Sequence, residues 1–290
     1  MDESRYYRFG PWEVACLPHD GGRLSKLRYA EQNLLTEPPV SFRAPQKDYG
    51  HYELRPVYGY DDCFPTVDSC PFPESDWMVP DHGELCWMPW KVQEGDKELT
   101  FTVRSQKLPI TFQRLMRFQD DSLAWQFEVT NSGDTSLPFL HVMHPLTSLS
   151  EVTDIELPEF ASVVETYRQS SLAGFTSQQM RDWLLSLPEG ETAMLFLQGV
   201  REARFVLTFL TGVRLEAHFP LSLFPTLAVW WNRGGYPDEE GCRRTECAFE
   251  PDPGSNSTLA DVYQEGLHLV APARGALQWT VRWKMTGAGR

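Results

Sequence analysis

Three short segments carry side chains that can move protons near neutral pH. In Pro80-Asp81-His82-Gly83-Glu84, an imidazole stands between carboxylates and beside a glycine, the residue that lets backbone approach a ligand closely. In His141-Val-Met-His144-Pro145, the histidines are three apart after a strand-like run. Extended chain turns them to opposite faces, so they cannot both enter one pocket. Pro145 keeps His144 out of the helical region. The third segment, Glu246-Cys-Ala-Phe-Glu250-Pro251, sets Glu246, Ala248 and Glu250 on one face of a strand that ends in a proline-rich turn. Taken singly, each is commonplace: a hydrogen-bonded or surface histidine, or a glutamate before a solvent-facing loop.

Aromatic residues crowd the same regions. Trp230-Trp231-Asn232 precedes the third segment, and Trp77, Trp87 and Trp90 flank His82. Aromatic faces beside amides and carboxylates suit a polyhydroxylated ring, whose C–H faces stack while its hydroxyls need donors and acceptors. Most of the ten tryptophans are expected in a core and about two against a ligand, Trp231 among them. The six cysteines (Cys16, Cys63, Cys70, Cys86, Cys242, Cys247) are expected to be free thiols. Their spacing matches no zinc pattern built on paired C-x₂₋₄-C units, so no metal is expected.

Such residues need rigid elements to bring them together. Alternating or β-branched runs recur at 12–17, 99–104, 123–129, 193–198, 204–210, 213–219 and 277–285, each bounded by turn residues. The run 123–129 puts Leu123, Trp125, Phe127 and Val129 on one face before Asn131-Ser-Gly-Asp134 turns the chain. One stretch reads as helix, from Ser177 to Leu187, with Met180, Trp183, Leu184 and Leu187 at helical spacing. Thr176 and Gln179 make a capping box, and Pro188 and Gly190 end it. Many strands and one short helix predict an all-β protein, a large antiparallel β-sandwich with loops at one end supplying a site.

The chain has 290 residues, enough for a large core, and no Ser/Gly linker or charge block divides it, so residues 1–290 are expected to form a single domain. Lys and Arg number 26 against 40 Asp and Glu, a net charge of −14. With no basic stripe, nucleic acid and anionic membranes are excluded as partners. The longest uncharged apolar run, Ala217 to Trp231, contains Pro220 and Pro225 and is too short to span a bilayer. The charged N-terminus carries no secretory signal, which predicts a cytoplasmic protein, monomer or homodimer.

The order of these pieces resembles a known family. The segment from Leu123 through Asn131 to Pro138, followed by His144-Pro145, is similar to the strand–turn–strand and His-Pro segment of aldose 1-epimerases of the galactose mutarotase-like superfamily. Gly21-Gly-Arg-Leu-Ser-Lys-Leu with Asn33-Leu-Leu35 resembles that family's opening. Gly59-Tyr-Asp-Asp-Cys-Phe-Pro65 resembles its early loop, Asp81-His82-Gly83 its His-Gly segment, and Cys247-Ala-Phe-Glu250-Pro the segment bearing its catalytic glutamate. The likeness runs from about residue 12 to residue 285.

The resemblance implies a large β-sandwich with a cleft, and interconversion of α and β anomers of free aldoses by ring opening, without metal or cofactor. It implies Glu250 as general base and His144 as general acid, with His82 holding the sugar and developing charge. It places Arg55 and Asp62 among substrate-contacting loop residues, and expects a substrate-binding aspartate between residues 150 and 220, where Asp154 and Asp182 both stand. Hexose-6-phosphate relatives carry an arginine four residues after the His of the His-Gly segment. Here that residue is Cys86, which disfavours a phosphorylated sugar unless Arg23, Arg55 or Arg233 replaces it. Leu146 replaces the aromatic that follows His-Pro. Two other readings stand beside this one: a sugar-binding protein without catalysis, and a lyase or hydrolase related by fold, for which Asp61 with Asp62, or Glu246 with Glu250, would supply the two carboxyls of glycoside hydrolysis. Asp61 and Asp62 suit the last poorly, since strand neighbours face opposite ways.

Overall fold

The computed structural model describes residues 4–38, 57–168, 170–237 and 243–287. Among these, all seven expected runs are strands, with ends shifted by at most two residues. Five of them join an antiparallel eight-stranded sheet ordered Val152–Glu156, Arg204–Phe209, Arg214–His218, Ala276–Thr286, Ser122–Asn131, Ile110–Phe118, Glu98–Arg104 and Lys91–Gly95. The inward faces are as the alternation requires, with Leu123, Trp125, Phe127 and Val129 all buried.

Two further sheets lie against it. One runs Arg5–Phe9, Trp12–Leu17, Arg23–Tyr29, Tyr60–Cys63 and Val142–Pro145, with Gln32–Asn33 added to the edge of Arg23–Tyr29. The other runs Thr147–Ser148, Thr245–Asp252, Thr226–Arg233, Thr192–Gln198 and Ser162–Glu165. The chain steps from the first to the second through Leu146, between Val142–Pro145 and Thr147–Ser148. Both sheets pack on the eight-stranded one: Tyr60 meets Trp125 with ring centroids 4.8 Å apart, and Phe249 stacks on Phe205 at 5.1 Å. One apolar core extends from Trp12 to Met285. Truncating a residue such as Phe127 to alanine would cost about 3–5 kcal/mol.

The helix Ser177–Ser186 has the expected capping box: the Thr176 hydroxyl accepts from the Gln179 amide, and the Gln179 side chain accepts from the Thr176 amide. A second helix, Leu259–Glu265, adds to the one expected from periodicity. It spans under two turns, with Thr258 as N-cap and Gly266 at φ 72° as C-cap. Only Leu259 and Val262 are buried, so it has too little pattern to register in sequence. No helix among the described residues is long and apolar enough to cross a membrane.

Candidate active site

Strand pairing between Tyr60–Cys63 and Val142–Pro145 sets the first half of the site. Register puts His144 opposite Asp61 and Met143 opposite Asp62. Alternation then sends Asp61 and His144 to one face, and Asp62 to the other, where it meets His141. The His144 Nδ1 and Asp61 Oδ1 atoms are 2.9 Å apart, and His141 Nε2 lies 3.0 Å from Asp62 Oδ1. The separation of the two histidines expected from their spacing is what the fold contains.

Behind Asp61 stands Arg23, whose Nη2 lies 3.6 Å from Asp61 Oδ2. Arg23 is fully buried, and its Nε donates to Asp20 at 2.9 Å while Nη1 donates to the Tyr58 carbonyl at 2.6 Å. Arg23 is the buried counter-charge behind Asp61, and the Asp61 carboxyl group in turn orients the His144 ring.

Glu250 comes from the neighbouring strand Thr245–Asp252, and its Oε1 lies 4.0 Å from His144 Nε2. Burial pushes the Glu250 carboxyl up to about 7, the nearby Asp252, Asp61 and Asp68 push it the same way, and His144 opposes them. Burial also raises Asp252 to about 7, although its carboxylate accepts from the Gly254 amide at 2.7 Å.

His82 arrives on a tight turn. Its own φ is +58°, and that of Gly83 is +74°. A Cβ on Gly83 would sit 2.0 Å from the Phe64 carbonyl oxygen, so only glycine lets the turn close against Tyr60–Cys63 and its continuation. The His82 ring then stands 5.1 Å from that of His144, and its Nδ1 lies 2.9 Å from Asp81 Oδ1.

Glu250, His144 and His82 therefore converge in one cleft of about 270 Å³, near the lower end for small-molecule sites. Trp230, Tyr167 and Tyr236 form one wall in mutual edge-to-face contacts, with centroids 5.5 to 6.1 Å apart. Asp68 and Arg244 also line the cleft. The Arg244 Nε donates to Glu246 Oε1 at 3.2 Å, and its guanidinium lies over the Tyr236 ring. Cys63 is buried beside the two histidines, where one donor atom from each of Cys63, His82 and His144 falls within 4.8 Å of the others.

Other expected site residues stand elsewhere. Asp62 is wholly buried on the far side of its strand: it accepts from the Tyr60 hydroxyl at 2.6 Å and pairs with His141 and Arg114. Burial alone would raise its carboxyl, but Arg114, His141 and Tyr60 hold it below the ordinary value. It serves as counterion to a buried arginine and cannot touch a ligand in the cleft. Trp231 is corrected for the same geometric reason. Along Thr226–Arg233, Trp230 faces the cleft and the adjacent Trp231 turns away into the core, beside a separate cavity with Arg233. Asp154 and Asp182 both bind Arg181 at the longer helix, away from the cleft. Arg55 lies outside the described residues. Of the arginines offered as phosphate ligands, Arg23 is locked under His144, and Arg233 donates to the Leu187 carbonyl.

Several cleft residues carried little sequence signal. Asp61 could have been found by pairing alternation with the His144 register. Asp68, Tyr167, Tyr236 and Arg244 come from loops or strand ends distant in sequence, which only the fold brings together.

Comparison with known proteins speaks to the fold. No protein-family model and no curated protein matches the sequence. Among solved structures, the Slr1438 protein of Synechocystis sp. PCC 6803 superposes with a TM-score of 0.75 at 17% identity, over 99% of this chain and 96% of that one. A galactose mutarotase related enzyme from Lactobacillus acidophilus gives 0.69 at 12% identity, over 99% and 98%. An aldose epimerase homologue from C. elegans gives 0.66 at 12%, over 99% and 100%. At such identities the likeness establishes the fold, which is galactose mutarotase-like over nearly the whole chain.

Proposed function

We propose that the protein is an aldose 1-epimerase-type isomerase, interconverting the α and β anomers of a hexose by acid–base ring opening. The observation that carries this reading is the facing of Glu250 and His144, 4.0 Å apart in a cleft walled by aromatic rings. Glu250, with its carboxyl raised to about 7, suits a base that must take and return a proton near neutrality. His144, backed by Asp61, suits an acid.

Glu250 removes the proton from the C1 hydroxyl, the C1–O1 bond becomes the aldehyde double bond, the C1–O5 bond breaks, and His144 protonates O5. Rotation about C1–C2 turns the other aldehyde face toward the new hydroxyl. His144 then takes the O5 proton as O5 attacks C1, and protonated Glu250 returns its proton to O1. Each proton ends where it began, so the reaction needs no net donor. His82 donates to the sugar and steadies charge on the oxygens.

The acidic lining favours an unphosphorylated sugar. Asp68, Asp81 and Glu250 line the cleft, while the Arg244 guanidinium is held by Glu246 against Tyr236. Saturation-transfer NMR on a panel of free hexoses and hexose 6-phosphates tests both points. We expect accelerated anomer exchange on a free hexose, reduced at least about 100-fold in Glu250→Gln. Binding without any acceleration would instead make the chain a carbohydrate-binding protein.

A further inference from the structure

Cys63 follows Asp61 by two residues on the same strand, so alternation turns its thiol to the cleft face that Asp61 shares with His144. Its donor atom lies within 4.8 Å of one from His82 and one from His144. Both imidazoles are already oriented as metal-binding histidines usually are, with Nδ1 against a carboxylate: Asp81 for His82 and Asp61 for His144, each at 2.9 Å. A neutral ring that donates its Nδ1 proton to a carboxylate carries its lone pair on Nε2. Glu250 Oε1, 4.0 Å from His144 Nε2, supplies a fourth donor.

We propose that Cys63, His82, His144 and Glu250 form a binding site for a thiophilic divalent cation of the zinc type, placed directly over the acid–base pair. Thiolate, two imidazoles and a carboxylate are a borderline-soft set that selects Zn²⁺ or Co²⁺ over Mg²⁺ or Ca²⁺. Donor atoms in a tetrahedral zinc site stand about 3–4 Å apart, as bonds of roughly 2.0–2.3 Å require. Closing from 4.8 Å asks for a small movement, which the partly exposed His82 on its turn can make. Burial, with Asp61 and Glu250 adding to it, holds the Cys63 thiol protonated. A bound dication reverses that balance: the S–H proton leaves to solvent as the S–metal bond forms, and the two negative side chains neutralise the ion.

The binding stands independently of the isomerase reading; its consequence for turnover rests on it. A cation on His144 Nε2 and Glu250 occupies the atoms that must carry the two protons, so the loaded protein cannot exchange anomers. The site is thus one at which zinc-type ions, or their removal, would switch the cleft off and on.

Absorption spectroscopy of the full, reduced chain titrated with Co²⁺ tests the proposal without any activity readout. One equivalent should give a near-ultraviolet thiolate-to-cobalt band with visible tetrahedral bands, and Zn²⁺ should displace it. Cys63→Ser should abolish the thiolate band, and His82→Gln should weaken affinity at least about tenfold. His82 is partly exposed, so its variant decides the question even if the buried serine prevents folding. No thiolate band in the wild type, or an unchanged band and affinity in either folded variant, overturns the site. A wild type that binds Co²⁺ through Cys63 yet exchanges no anomers when metal-free keeps the site and removes the isomerase reading.

Discussion

Asp61 and His144 are direct partners across two antiparallel strands, and their side chains meet at 2.9 Å. Because backbone register fixes both Cα positions, the imidazole is aimed by the sheet itself and not by a mobile loop. Replacing Asp61 by asparagine keeps the shape but removes the charge that stabilises an imidazolium. We expect anomer exchange to fall about 100-fold or more, with little change in sugar affinity. Progress curves giving kcat and KM for Asp61→Asn check this; an unchanged kcat would mean that Asp61 does not assist His144.

The raised carboxyl of Glu250 predicts the acid limb of the pH–rate profile. A base with its carboxyl near 7 is mostly protonated below that pH and cannot accept from the C1 hydroxyl. The rate should therefore fall about tenfold per pH unit well below 7. Exchange rates between pH 4.5 and 8 would show it. An inflection near an ordinary glutamate value would mean that the buried form does not persist when sugar binds.

The same group makes stability depend on pH with a definite sign. Folding raises Glu250 from 4.5 to about 7, so the native state holds the proton more tightly than the unfolded chain. Stability from this group is full below about 4.5, declines as pH rises through the interval, and is gone above about 7. Asp252, raised from 3.8 to about 7, adds to the same trend. Glu250→Gln removes the penalty of a buried carboxylate and should stabilise the protein at pH 8 by on the order of 2–3 kcal/mol, with a smaller effect at pH 5. Urea denaturation of both proteins at the two pH values tests this. Equal differences at both would show that Glu250 is not desolvated as its burial implies.

Sheet architecture was legible because most strands alternate cleanly, as Leu123 to Val129 do. The strand Ile110–Phe118 shows where that reading fails. Its inward face is Ile110, Phe112, Arg114, Met116 and Phe118, and the arginine in the middle breaks the apolar pattern. Asp62 explains the break: Arg114 is buried against it, donates to the Gly22 carbonyl at 2.7 Å and lies 4.1 Å from the Phe101 ring centroid. Neither residue reveals the other in sequence, since 52 positions separate them. Hence Asp62 reads as a site residue and is a core counterion. For Glu250, His144 and His82, motif order was enough to group them, while the aromatic wall needed the fold to tell Trp230 from Trp231.

That distinction predicts opposite phenotypes for neighbouring tryptophans. Trp230 lines the cleft and donates its Nε1 proton to Glu246 at 3.2 Å; Trp231 is 3% exposed and packs in the core. Trp230→Ala should raise KM or the sugar dissociation constant about tenfold, with a modest loss of stability. Trp231→Ala should cost about 3–5 kcal/mol of stability and leave the affinity of the surviving folded protein nearly intact. Calorimetric titration with sugar alongside denaturant melts separates the two. The reverse assignment of effects would place Trp231, and not Trp230, against the ligand.

Gly83 offers the most local test of how the second histidine is positioned. At φ +74° an alanine is strained, and its Cβ would fall 2.0 Å from the Phe64 carbonyl oxygen, a backbone atom that cannot swing aside. The left-handed conformation alone costs roughly 1–2 kcal/mol, and relieving the contact requires the turn to lift from the strand beneath it. The Glu84 amide, which donates to that same carbonyl at 2.8 Å, would move with it. So would the His82 ring, now 5.1 Å from His144. Gly83→Ala should therefore lower stability by at least about 2 kcal/mol, with a Tm drop of several degrees. It should also reduce kcat/KM by tenfold or more, because an ångström of misplacement weakens every contact His82 makes to the sugar. Comparison with His82→Gln, which deletes the ring but spares the turn, assigns the two losses. A Gly83→Ala protein with full activity and an unchanged melt would show that the turn does not set the position of His82.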